Sequence, residues 1–450
     1  MRILAIYRHY WPDTTPYARI LRTILEHQVE RGHEVHVITA QPGYNDIQHA
    51  RQPWRESLGG VDVHRIRLLP ERKSWRLLRS FNFAWFLLRA TLHAVWARNY
   101  DVIVANSHPP VLMGIVLRII KGVTGIPYIY HCQDLHPESA QLGGQLRAGF
   151  IYQQLLGVDA QNCRQAQRVV VLSDDMWETI EGRGVETENV SVINNPPLDV
   201  GDGPSLELPS IFHDPEAFYV LFAGNLGIFQ GLDVLVKAVR FLPQRVPVRL
   251  IFMGEGLAKP ALMEEAGLLL DERIFFLPHQ PVEVALAAMR EADLGVVSLL
   301  PEIYRFAFPS KSMMYLSAGC PLLTIMEPDS ELAKVVREYR LGYVANRRWP
   351  QIVANLIEQA WRERHTWTAA RRAEIQEVCD ALYGRDRMLS QWDRVLSVCD
   401  PEANREFTPA EWPKVVQGDA PKHVVANDVF VQQPNAAGEN LTGEEERRGA

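Results

Sequence analysis

What most limits the fold of this chain is a rhythm of short apolar runs and longer amphipathic stretches, played through twice. In the first half the pattern predicts strands over 3–7, 34–39, 61–68, 102–105, 128–132, 169–172 and 190–193. Between the first two of these, residues 17–30 carry Ile20, Leu21, Ile24 and Leu25 near one face, as a helix covering a sheet would. In the second half, strands are expected over 219–223, 249–253, 274–277, 294–299, 321–325 and 342–344, again separated by helical stretches. Apolar runs without polar alternation suit strands buried on both faces, which points to parallel sheets with helical crossovers. The fold class is therefore α/β, as two facing Rossmann-like doubly wound domains with a cleft between their strand C-termini.

A chain of 450 residues is too long for one ordinary core. Residues 198–216 are rich in Pro, Gly, Ser and Asp and read as the linker. We expect a first domain over 1–198, a second over 199–382, a helix over 383–399, and a disordered tail over 400–450. The net charge of −7 argues against a general nucleic-acid binder. Five cysteines, widely scattered and without a CxxC, form neither a disulfide framework nor a zinc spacing. No apolar run is long enough to span a bilayer, and the first residues lack the apolar core of a secretory signal, so a cytoplasmic location is expected.

The chemistry-bearing residues gather at predicted strand ends, where open α/β sheets bind ligands. In the second half, Gly224, Asn225, Gly227 and Gln230 lie in a turn between a strand and a helix, and Gly254 follows the next strand. Further on, Pro309, Ser310 and Lys311 open a short helix, and Glu327, Asp329, Ser330 and Glu331 open another. Backbone N–H groups at such turns and one lysine favour an anion, and carboxylates beside them suit hydroxyls. In the first half, His131, Asp134, His136 and Glu138 fall within eight residues directly after a strand. Their spacing makes convergence on one metal ion difficult, and acid–base work or substrate hydrogen bonding is the better reading. His9, Asp13, Thr14 and Thr15 follow the first strand, and His108 ends another, so both groups are acceptor-side candidates. Segment 72–89 mixes Arg72, Lys73, Arg76 and Arg79 with Trp75, Phe81, Phe83, Trp85 and Phe86. That mixture suits contact with anionic lipid, or a helix packed on its own sheet or on a partner.

Five motifs in order carry a resemblance: YRHYWPDTTPYAR at 7–19, RGHEVHVITAQPGY at 31–44, HCQD at 131–134, GNLGIFQGLDVL at 224–235 and FPSKSMMYLSAGCPLLT at 308–324. Together they resemble the retaining, nucleotide-sugar-dependent glycosyltransferases with two Rossmann-like domains, in the exopolysaccharide branch that includes colanic-acid biosynthesis enzymes. The resemblance covers about 1–399 and implies a metal-independent transfer of a sugar from a nucleoside-diphosphate sugar, with no cofactor. It further implies a polyprenyl-diphosphate-linked glycan acceptor, peripheral contact at the inner face of the plasma membrane, and a C-terminal helix crossing back to the first domain. His131, Asp134 and Lys311 would be catalytic, and Gly224, Asn225, Gly227, Gln230, Gly254, Ser310, Lys311, Asp329, Ser330 and Glu331 would hold the donor. The chain departs from relatives at four places. Asn225 and Gln230 stand where many have Arg and Lys, and Phe306 and Met314 stand where a pair of glutamates is frequent. A nucleotide-sugar epimerase of the same architecture stays open as an alternative, and the departures keep open an inactive scaffold.

Overall fold

The computed structural model describes residues 1–13, 15–42, 51–69, 76–97, 99–144, 146–199 and 208–400. Thr14, the first residues of 72–89, much of 198–216 and the expected tail lie outside them. The first lobe is an eight-stranded sheet of β1 (Arg2–Ile6), β2 (Glu34–Ala40), β3 (Arg55–Leu58), β4 (Val61–Ile66), β5 (Val102–Asn106), β6 (Tyr128–His131), β7 (Arg168–Val171) and β8 (Val190–Val192). Its order is β3-β4-β2-β1-β5-β6-β7-β8, parallel throughout except for β3, which pairs antiparallel with β4. Strand β3 was not anticipated from the sequence, because Arg-Glu-Ser-Leu at a sheet edge buries neither face. Helices α1 (Pro16–Glu30), α2 (Arg76–Ala97), α3 (Leu112–Thr124), α4 (Glu138–Leu142), α5 (Phe150–Gln165) and α6 (Asp174–Gly182) make the crossovers and cover the faces.

The second lobe is a parallel sheet of β9 (Phe218–Ala223), β10 (Val248–Met253), β11 (Ile274–Leu277), β12 (Leu294–Ser298), β13 (Leu322–Ile325) and β14 (Gly342–Ala345), in the order β11-β10-β9-β12-β13-β14. Around it lie α7 (Asp233–Val239), α8 (Lys259–Ala266), α9 (Val282–Glu291), α10 (Lys311–Ser317), α11 (Glu331–Glu338) and α12 (Pro350–Arg362). The described residues close with α13 (Ala369–Tyr383) and α14 (Arg385–Ser397), separated by Gly384.

Strand alternation divides the core as the two-residue period demands. Ile3, Ala5 and Tyr7 of β1 face one cluster, and Leu4 and Ile6 face another. The latter cluster runs on into the second lobe, so the lobes share one continuous apolar packing. Helix α14 returns to the first lobe, where Met388, Leu389, Trp392, Val395 and Leu396 pack among the side chains of β1, β2 and α1. Asp393 on its outer face accepts from Gln28 Nε2 at 2.8 Å and lies 3.1 Å from His27 Nε2. With a fully buried indole at its centre, Trp392→Ala is expected to lower stability by about 3–5 kcal/mol. A thermal melt that does not move would show that α14 is not part of the first-lobe core.

Candidate functional site

The site is built around Lys311. Its helix is fixed to the central strand of the second sheet by Tyr315, whose hydroxyl donates to the Leu221 carbonyl (2.9 Å) and accepts from Ala223 N–H (2.8 Å). That anchor sets the start of α10 against the end of β9. The Lys311 ammonium nitrogen is buried, has no hydrogen-bond partner, and stands 3.6 Å from the centroid of the Phe222 ring. Attraction to the ring face recovers part of the lost hydration. Burial nevertheless holds its pKa down to about 7.

Two glycines let the backbone close around this cation. At Gly224 a Cβ would sit 3.3 Å from the ammonium, and its φ of +135° is one that side chains rarely adopt. At Gly254 a Cβ would meet the Gly224 carbonyl at 2.1 Å, again at positive φ. Loop 224–231 is held to the next by Leu226 N–H on the Glu255 carbonyl and Ala258 N–H on the Leu226 carbonyl. Within it, Gln230 Oε1 and Asn225 Nδ2 flank Gly227, and Gln230 Oε1 is buried without a partner. Asn225 and Ser310 are exposed at the rim.

The loop before α11 divides its polar groups between structure and cleft. Ser330 donates its hydroxyl to the Glu327 carbonyl (2.7 Å), and Glu327 Oε1 accepts from Glu302 N–H (2.8 Å). Asp329 is exposed. Glu331 reaches across to the first lobe, where its Oε2 accepts from Asp174 N–H at the start of α6 (2.5 Å). Asp175 Oδ2 accepts from Glu331 N–H at the start of α11 (2.8 Å). Each helix thus has its N-terminus capped by a carboxylate of the other lobe. Burial raises the Glu331 carboxyl well above its ordinary range and pushes Asp175 up to about 6. Glu331 Oε1 remains buried and unpartnered.

Across the cleft, His131 and Asp134 have different surroundings. His131 is buried at the end of β6, with Tyr17 and Trp392 set edge-on to its ring at 5.1 and 5.2 Å. Asn195 donates to Gln133 Oε1 (2.9 Å), which turns Gln133 Nε2 toward His131 Nε2 (2.8 Å). As this network orients the amides, Nδ1 carries the ring proton and donates to the Tyr17 hydroxyl (2.9 Å). Burial drops the imidazole pKa to about 3, so it is neutral at all ordinary pH. Asp134 follows the end of β6 and is exposed. Protein packed around the carboxyl strips it of hydration and pushes it up to about 6. Its backbone bridges to Ala307, and the neighbouring Leu135 N–H donates to the Phe306 carbonyl (2.8 Å). These main-chain contacts bring Asp134 to the second lobe.

The acceptor-side candidates separate. Glu138 is buried in an ion pair with Arg183 (2.6 Å), which also holds Asp159 (2.8 Å), so this carboxylate anchors α4. His9 Nδ1 lies 2.5 Å from Asp13 Oδ2, and Thr15 precedes α1 as its N-cap without a side-chain cap bond. His108 meets the Phe83 edge at 5.2 Å, and the other side of that ring carries the Arg8 guanidinium at 4.0 Å. Burial lowers His108 to about 4. Sequence reasoning missed Phe222, Tyr315, the Tyr17–His131–Gln133–Asn195 chain, and the capping partners Asp174 and Asp175. Of these, Asp174 and Asp175 do carry a local signal, since Ser173-Asp-Asp has the form of a capped helix start, but nothing in it points to the other lobe.

Two family models divide the chain between them. A glycosyl transferase 4-like domain matches residues 17–196, and a glycosyl transferases group 1 domain matches residues 217–363. The chain belongs to the GT-B superfamily of nucleotide-sugar glycosyltransferases. Probable glycosyltransferase WbjE of Pseudomonas aeruginosa is 23% identical over 273 residues, covering 58% of this chain and 66% of that protein. The putative colanic acid biosynthesis glycosyl transferase WcaI of Escherichia coli K12 is 22% identical over 360 residues, covering 75% and 86%. In structure, the chain is similar to Anabaena Alr3699/HepE in complex with UDP-glucose, with a TM-score of 0.62 at 18% identity over 88% of this chain and 99% of that one. WaaG, a glycosyltransferase involved in lipopolysaccharide biosynthesis, gives a TM-score of 0.60 at 16% identity, covering 88% and 99%. These two likenesses are likenesses of fold.

The unpaired ammonium has a stability consequence with a definite sign. A lysine in an unfolded chain titrates near ~10.4, whereas Lys311 in the folded GT-B chain titrates at about 7. Between those values the unfolded state binds a proton that the folded state does not, so this group's contribution to stability rises with pH. Lys311→Met is therefore expected to be more stable than the wild type near neutral pH, by on the order of a few kcal/mol, with the gain shrinking toward about pH 10. Melts of both proteins across that range check it. A gain that grows with pH would mean the ammonium is paired.

Proposed function

We propose that the protein transfers a sugar from a nucleoside-diphosphate sugar to a hydroxyl of a lipid-linked glycan acceptor, with retention at the anomeric carbon, in exopolysaccharide or O-antigen assembly. The observation that carries this reading is the Lys311 ammonium, desolvated and unpaired between Phe222 and the Gly224 turn. A cation held so is worth far more against a developing negative charge than one in water. Its natural counter-ion is the diphosphate. As the glycosidic bond breaks, the electron pair passes to the phosphate oxygen, where Lys311 and the N–H groups of the 224–231 loop meet it. The sugar becomes oxocarbenium-like, and the acceptor oxygen bonds to the same face while its proton moves to the departing phosphate oxygen. No metal ion and no cofactor enters this reading.

Asp134 is the cleft carboxylate open to solvent and is assigned to hydrogen-bond the reacting sugar or acceptor. His131 acts as a positioning residue, holding Gln133 and the end of β6 beside it. Asn225, Gln230, Ser310 and Asp329 line the donor end, and His9, Asp13 and His108 the acceptor end. At the two positions where relatives carry glutamates, Phe306 offers its carbonyl across the lobes, and Met314 sulfur accepts from Leu198 N–H (3.2 Å). The donor is then gripped chiefly through its diphosphate. The UDP and UDP-glucose complexes of the Anabaena protein support uridine nucleotides as the first donors to try.

Calorimetric titration with UDP and GDP tests the donor assignment. Micromolar binding of one nucleotide, weakened about tenfold or more by Lys311→Ala, is expected. Binding indifferent to that substitution would sink the role of Lys311. Conversion of a nucleotide sugar to its epimer without an acceptor would replace transfer by epimerisation.

A lipid-linked acceptor places the protein at a membrane, peripherally at the inner face. Helix α2 exposes Leu77, Phe81, Trp85 and Leu88 in one stripe at helical spacing. Among the described residues no helix is long and apolar enough to cross a membrane. Flotation with anionic vesicles at low salt, reduced by Leu77→Ser with Phe81→Ser, is the expected result. Protein that stays at the bottom of the gradient would remove the membrane part of the reading.

A further inference from the structure

The first lobe holds a second concentration of positive charge, apart from Lys311. An open groove of about 480 Å³ lies between the β3–β4 hairpin and α2, with Trp54, Arg55, His64, Arg67, Trp85 and Arg89 on its walls. Arg65 lies beneath the groove, its side chain turned to the other face of β4, toward the loop after β1. Its guanidinium is fully buried, bonded to Glu56 through Nε and Nη2 and to the Trp11 carbonyl through Nη2 (2.8 Å). On the groove side of the strand, His64 Nδ1 is buried with no hydrogen-bond partner.

The walls are cationic and uncompensated. Arg55, Arg67 and Arg89 are exposed, and none has a carboxylate partner among the described residues. Arg55 and Arg89 lie instead over the rings of Trp54 and Trp85, at 5.0 and 5.9 Å. Glu56, on the other face of the hairpin, is taken by Arg65. Burial and the charge of Arg55 and Arg89 together lower the pKa of His64, so that ring is neutral near pH 7 and one of its nitrogens is free to donate.

Three unpaired guanidiniums and an orphaned buried N–H ask for an anion with several oxygens, and Arg matches phosphate in a bidentate fork. Trp85 also belongs to the exposed stripe of Leu77, Phe81 and Leu88, so the groove opens directly onto an apolar track. A free anion would leave that track uncovered, and a nucleic acid fits poorly with a chain of net charge −7. We propose that the groove binds the phosphate end of a long-chain isoprenoid phosphate, whose tail lies along the α2 stripe. This rests on the lipid-linked acceptor reading and gives that acceptor its anchor. The Arg65 contact to Trp11 ties the groove to the loop that follows β1, on the acceptor side of the cleft.

The test uses the full chain with UDP and GDP both saturating, so that the donor pocket is not available to the probe. Binding of farnesyl diphosphate and of inorganic pyrophosphate is measured by calorimetry for wild type and for Arg55→Gln with Arg67→Gln and Arg89→Gln. The wild type is expected to bind farnesyl diphosphate at least about tenfold more tightly than pyrophosphate. The triple variant is expected to lose about tenfold or more of that affinity while its nucleotide binding is unchanged. Equal binding of the two probes would overturn the proposal in favour of a free-anion site. Farnesyl diphosphate binding untouched by the three substitutions would overturn it outright. Should the triple variant fail to fold, Arg67→Gln and Arg89→Gln singly are expected to show the same loss in smaller measure, and no loss in either would be equally fatal. Nucleotide binding, read separately through Lys311, distinguishes failure of this site from failure of the glycosyltransferase reading.

Discussion

An ammonium ion kept from water without a counter-ion is the constraint around which the second lobe is arranged. Moving a charge into protein is costly, and Lys311 recovers only part of that cost from the face of Phe222. Tyr315 holds its helix against β9, and Gly224 and Gly254 let two loops close over the place where the charge sits. Under the proposed function the arrangement is preorganisation, the charge being set in place by folding before the diphosphate arrives to neutralise it.

The sequence made the fold readable and the donor end of the site partly so, for physical reasons that differ. Strands buried on both faces announce themselves as apolar runs, so the strands of the second sheet and seven of the first were visible. Edge strand β3 was not, since a polar tetrapeptide pairs only because β4 lies beside it. Lys311 stood out because it opens a short helix after Pro309-Ser310, in a domain whose other strand ends carry glycine turns. Phe222, by contrast, reads as one more strand residue, and nothing local shows that its ring faces a cation. The neighbours of His131 come from four separate segments, and Glu331 meets α6 across a gap of more than a hundred residues. A single sequence carries no mark of such pairings.

The departures at 306 and 314 look different once the lobes are seen together. The contact that brings Asp134 to the second lobe runs through the backbone of Phe306 and Ala307, and main-chain hydrogen bonds are indifferent to the side chain. A carboxylate can be replaced there by an aromatic ring without loosening the junction. Under the proposed function, what changes is the grip on the donor, which moves from the sugar nucleotide's hydroxyls toward its phosphates.

The reciprocal caps between α6 and α11 bear on how such enzymes can be recombined. Each helix borrows its terminal acceptor from the opposite lobe, Glu331 serving Asp174 and Asp175 serving Glu331. A hybrid joining this first lobe to a foreign second lobe would inherit half of each exchange, leaving buried N–H groups and a buried carboxylate unmatched. Lobe shuffling at the linker therefore has a hidden unit of inheritance, Asp174, Asp175 and Glu331, which has to travel as a set although the chain keeps its members far apart.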